Sequence, residues 1–175
     1  MGNHLHPASV HFPIVFIALT GFLDILNTAA TYPPTASLVL SVFKFLHLEL
    51  ALIDLLPLLS YYTTILSLLT IVPAVLTGGS DLLPLIQRDG FSTPKVRTAL
   101  THAALNDAAA LSLAFNWWTR RGAEGFAAAP VNVVLSGLLA MPVMFYSASL
   151  GGHLVYEYGM GVGMGGGKGK EKKSQ

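Results

Sequence analysis

The amino-acid sequence predicts an all-α integral membrane protein, a four-helix bundle with an additional amphipathic helix between spans one and two. Three observations carry this expectation. Of the 175 residues, 53% are hydrophobic and only 11% charged, where a soluble domain carries about 25% charged residues. Mean hydropathy is +0.59, and five of the charges, Lys168, Lys170, Glu171, Lys172 and Lys173, crowd into the end of the chain. Apolar stretches of about 20 residues, the length that crosses a hydrocarbon core, recur along the rest. A net charge of +1 excludes a strongly basic nucleic-acid binder, and the absence of cysteine excludes disulfides, thiolate metal sites and iron–sulfur clusters.

The first span is expected at residues 10–26. No Lys or Arg precedes it and no small-residue cleavage site follows, so it reads as a retained helix and not a secretory signal. Residues 27–34 read as a loop. Residues 36–56 are apolar but contain Lys44, His47, Glu49 and Asp54; Ser37, Ser41, Lys44, His47 and Asp54 share roughly one side of a helix. An amphipathic helix in the interface plane is expected there, bending at Pro57 into the next span. That second span covers 58–76, with Gly78 and Gly79 as its stop. The third covers 99–118 and ends on Trp117, Trp118, Arg120 and Arg121, an aromatic and basic anchor at the headgroups. Pro130 opens the fourth, 131–150, which Gly151 and Gly152 should end. Residues 1–163 thus form one bundle domain, and 164–175 a disordered tail rich in Gly and Lys.

Four spans place both termini on one side. Arg88, Lys95, Arg97 and the four tail lysines lie there, against Lys44, Arg120 and Arg121 opposite. The excess assigns the terminal face to the cytoplasmic or equivalent side.

Topology brings His6, His11, His102 and His153 to that terminal face, with Thr77, Asp81, Asn106 and Tyr156. His102 and Asn106 are four apart and share a helix face, which should turn inward because unpaired polar groups in hydrocarbon are costly. Imidazole at equal depth on neighbouring spans suits haem iron or a divalent metal ion. In that reading His11 and His102 form an axial pair with Asn106 and Tyr156 orienting them, and the metal set is His6, His11, His102 and His153. The competing reading is helix joining, in which the same residues only hydrogen-bond across the bundle. Asp24 and Asn132 lie toward the opposite face, where a polar pair can form, although interfacial solvation accounts for both. GMGGGKGK lacks the spacing and the Ser or Thr of a phosphate loop, and its lysines suit anionic lipid. No hydrolase signature is present.

His6-Pro7-x-x-Val10-His11-Phe12-Pro13, Thr77-Gly78, His102-x-x-x-Asn106 and Gly151-Gly152-x-Leu154-Val155-Tyr156-x-x-Gly159-x-Gly161-Val162 together resemble the predicted membrane proteins of the domain-of-unknown-function family 2231. The likeness covers about residues 6–162 and implies a four-span bundle with its motif residues on one face. The family carries no established activity, although members joined to Rieske-type ferredoxin domains imply redox work. Residues 36–56 depart from the pattern as an insertion, and Tyr158 stands where a basic residue or His is expected. The function expected is therefore that of a membrane protein holding haem b or a metal ion as a redox accessory with a membrane redox partner. The alternative is a structural or partner-binding subunit without cofactor. The lipid bilayer is the common partner of both.

Overall fold

A computed structural model of the chain describes residues 5–160, all-helical with connecting turns. The expected Gly/Lys-rich tail, 164–175, lies outside the described residues. Helices α1 (Leu5–Ser9) and α2 (His11–Thr31) follow one another almost without a break. The loop expected at 27–34 shrinks to Tyr32, whose extended backbone (ψ 118°) is the conformation a following proline imposes. Pro33 then opens α3 (Pro33–Phe45).

The single amphipathic helix expected over 36–56 is divided. α3 stops at Phe45, residues 46–51 form turns with His47 at φ 54°, and α4 begins at Leu52. α3 packs on α2, burying Phe43 while Ser37, Ser41 and Lys44 stay exposed. Leu38 and Phe45 are exposed too, so its outer face is mixed and the polar stripe is not continued by Asp54, which belongs to α4.

α4 (Leu52–Asp89) extends well beyond 58–76, passing through Gly78 and Gly79 and ending at Gly90, whose φ of 69° suits glycine. Two glycines weaken a helix, but here the extra turns bury Leu85 against Val96, Ala99 and Leu154, and that apolar contact carries the helix onward. α5 (Pro94–Arg120) starts on a good signal: Thr93 caps it by accepting from the Val96 backbone N–H at 3.4 Å, and Pro94 stands at the first helical position.

The last helical stretch begins with α6 (Pro130–Val133), passes through a π-helical segment (Val134–Ala140), and continues as α7 (Met141–Tyr156). Gly151 and Gly152 do not stop it, and the helix runs on to Tyr156. The wide π turn is where α2 approaches closest. A Cβ on Gly21 would lie 2.8 Å from the Ser136 carbonyl oxygen, and one on Gly137 would lie 2.7 Å from Ile25 Cγ1.

The four long elements pack in alternating directions. Thr20 donates to Thr63 at 2.9 Å across α2 and α4, and His102 and Asn116 of α5 meet Ser147 and Asn132 of the last stretch in antiparallel order. Ile17, Ala109, Leu113, Ala140 and Met144 form the central apolar core. Leu5–Thr31, Leu52–Asp89 and Glu124–Tyr156 are long and apolar enough to cross a membrane. α5 falls outside that group because His102, Asn106, Asp107, Asn116 and Arg120 dilute it.

Candidate functional site

Two polar centres lie at opposite ends of the bundle. At the terminal end, His6 Nδ1 is 3.1 Å from the Ala74 carbonyl oxygen and 3.2 Å from Thr77 Oγ1, and Ser9 Oγ is 3.0 Å from the same threonine hydroxyl. His102 Nδ1 donates to the Ser147 carbonyl at 2.8 Å. That bond fixes the neutral tautomer with its lone pair on Nε2, which accepts from Asn106 Nδ2 at 3.2 Å. Ser147 Oγ returns a bond to the His102 carbonyl at 3.1 Å. The His6 and His102 ring centroids are 6.4 Å apart with planes at 88°.

Glycine explains why these rings fit. A Cβ on Gly78 would lie 2.9 Å from His6 Cε1, and one on Gly151 would lie 3.2 Å from His102 Cε1. The Thr-Gly and Gly-Gly motifs therefore serve ring packing, not helix termination.

The expected site residues divide. His6, His102 and Asn106 come together. His11 is exposed on the first turn of α2 and does not meet His102; its place is taken by His6. The reason is angular: His6 and His11 are about 140° apart on a helix, so only one can face inward. His153 is exposed and stands edge-on to Tyr158 at 5.2 Å, away from the pair. Tyr156 is 88% exposed and touches neither ring through a hydrogen bond. Among the described residues no group of three or more His, Asp or Glu side chains is arranged to hold a metal ion.

At the far end lies a centre that the sequence pattern concealed. Asp24 of α2 and Arg120 of α5 form an ion pair at 3.1 Å, with side chains 1% and 0% exposed. Asp24 also accepts from Ser60 Oγ of α4 and from Ser136 Oγ of the π segment. Arg120 Nη1 also donates to Ser60 Oγ at 3.1 Å, while Nη2 donates to the Pro57 carbonyl at 3.0 Å and Nε to the Phe126 carbonyl at 3.0 Å. Phe126, held at φ 56°, stacks on Tyr61 with centroids 4.2 Å apart. Asn132 braces the adjoining turn, accepting from the Ala129 N–H at 2.9 Å and donating to Thr119 at 2.7 Å.

Arg120 was expected at the headgroups beside Trp117 and Trp118. It is its neighbour, Arg121, that meets the aromatic pair, with its guanidinium 3.4 Å from the Trp118 ring centroid. One available signal was missed: Asp24 and Arg120 stand at matching ends of antiparallel helices, and opposite charges seek each other in low dielectric.

Chemically, the terminal centre is a set of hydrogen bonds across helices, and the far centre is a paired charge with its acceptors filled. Residues 2–164 match the family described as predicted membrane protein DUF2231. No curated protein and no solved structure matches the chain.

Proposed function

The chain belongs to the DUF2231 family of predicted membrane proteins, and on that premise we propose that it is a four-span structural subunit that binds a partner in the membrane. One observation carries this: both ring nitrogens of His102 are spent within the protein, on the Ser147 carbonyl and the Asn106 amide. A histidine used in this way ties α5 to α7, which is the work of an interhelical bond and not of a ligand.

The reading of α5 as the fourth span rests on its packing. His102, Asn106, Asn116 and Arg120 all turn toward the other helices, so a helix of modest hydropathy still offers lipid a mostly apolar outer face. The two polar centres are about 27 Å apart along α5, near the thickness of a hydrocarbon core of about 30 Å. His6 and Gly151 are at one end of the bundle, and the Lys and Arg excess assigns that end to the cytoplasmic side. α3, exposing Lys44 beside Phe45, suits the opposite interface. The tail lysines suit anionic lipid.

A second reading is a metal ion or haem b between His6 and His102, with a membrane redox partner. The 6.4 Å perpendicular placement of the two rings favours it, since about 2 Å bonds from two imidazoles to one ion give a similar separation. It requires Asn106 to release His102 Nε2. Absorbance and elemental analysis of the purified, folded protein decide: a colourless sample without stoichiometric metal is expected. A Soret band, or one metal equivalent lost in His6→Ala and His102→Ala variants, overturns the structural reading in favour of the second.

A further inference from the structure

The outward face of α5 holds one group that the bundle leaves unused. Asp107 is exposed and has no hydrogen-bond or ion-pair partner among the described residues. Its neighbour Asn106 turns inward to His102, so the two adjacent polar residues serve different surfaces. Along the helix, Asp107 stands about 8 Å inward of the His102 layer, about 15 Å from Arg97 and about 20 Å from Arg120, within the span. Around it the exposed face is Ala104, Ala108, Leu111 and Phe115, small near the carboxylate and bulky further on.

A lysine or arginine at that depth would bend its long stem toward the headgroups, but an aspartate has one methylene and cannot. A carboxylate left against lipid is among the costliest placements a membrane helix can make, and such groups pair. A second copy of this chain brings no suitable cation. Its described basic residues, Lys44, Arg88, Lys95, Arg97, Arg120 and Arg121, all lie near helix ends, and Arg120 is already paired.

We propose that this face docks a transmembrane helix of another protein that presents a Lys or Arg at the same depth, ion-paired to Asp107. The inference rests on the reading of the chain as a four-span partner-binding subunit and names the partner's chemistry. Ala104 and Ala108 let the incoming backbone approach, so that the partner's cation and the carboxylate meet out of water, where a charge-assisted hydrogen bond is strong.

The test uses the full chain in phosphatidylcholine vesicles, with a donor dye on a Gly122→Cys variant and acceptor-labelled transmembrane peptides of Leu and Ala carrying a central Lys, Leu or Glu. Energy transfer should show the Lys peptide associating about tenfold or more tightly than the Leu peptide. Asp107→Leu and Asp107→Asn should lower that preference, and Asp107→Lys should reverse it toward the Glu peptide; circular dichroism of each variant establishes that it is folded. Equal association of Lys and Leu peptides overturns the docking proposal, as does self-association of the chain that Asp107→Leu abolishes. Labelling of Gly122→Cys from the same side as residue 174 instead overturns the four-span reading on which the proposal stands.

Discussion

Arg120 and Asp24, 96 positions apart, meet as a fully enclosed ion pair at the end of the bundle farthest from His6 and His102. Four helical stretches contribute to it: α2 the carboxylate, α5 the guanidinium, α4 the Ser60 hydroxyl and the π segment the Ser136 hydroxyl. Opening any one of them leaves a charge or a polar group behind, so the pair ties the whole end together.

Removing one partner should therefore be severe. Asp24→Asn or Arg120→Leu leaves an uncompensated buried group and is expected to cost about 3–5 kcal/mol, read as a large drop in the thermal midpoint of the detergent-solubilised protein. Arg120→Lys should rescue little, because an ammonium cannot reach Asp24, Pro57 and Phe126 together as the guanidinium fork does. The double variant Asp24→Leu with Arg120→Met should recover much of the loss, having no stranded charge. A single variant as stable as the parent would mean that the pair contributes nothing.

Adjacent glycines should behave in opposite ways. Gly79 has nothing within 4 Å of an added Cβ and lies inside α4, so Gly79→Ala should stabilise by about 0.5–1 kcal/mol through the helix preference alone. Gly78→Ala pushes on the His6 ring and should loosen the N-terminal turn, seen as faster amide exchange at residues 5–9. Gly21→Ala meets the Ser136 carbonyl and Met141 and should cost about 1–3 kcal/mol by forcing α2 away from the π segment.

The terminal centre has its own ranking. Asn106→Leu deprives His102 Nε2 of its donor inside the bundle and should cost about 1–3 kcal/mol. His11→Ala and Tyr156→Ala alter exposed side chains and should stay within about 0.5 kcal/mol of the parent. Thermal midpoints of the three variants under one detergent give the comparison, and a reversed order would return His11 and Tyr156 to the site.

The absence of native cysteine makes the arrangement across the membrane simple to read. Single Gly122→Cys, His47→Cys and Ser174→Cys variants, probed in sealed vesicles with an impermeant maleimide, should place 122 and 47 on one side and 174 on the other. Position 47 sharing a side with 174 would mean that one of α4, α5 and the last stretch does not cross, whereas an Asn3→Cys variant labelled from the side opposite 174 would mean that the segment from Pro33 to Ala51 crosses.

Composition and spacing determined much by themselves. The scarcity of charge and the long apolar stretches dictate a helical membrane chain, because a backbone in hydrocarbon must bond within its own helix. The four-residue step from His102 to Asn106 dictates a shared inward face, and Pro94 and Pro130 mark helix starts through their fixed φ and missing N–H. Tertiary structure alone decided the rest. Gly78 and Gly151 read locally as helix stops; only the His6 and His102 rings pressed against them reveal that they are packing sites within longer helices. Arg120 reads as a headgroup anchor until Asp24 is brought beside it. Periodicity tells which face a residue occupies, but the charge or ring that meets it belongs to a distant part of the chain, and the cost of leaving a polar group unpaired in a low-dielectric interior is what selects that partner.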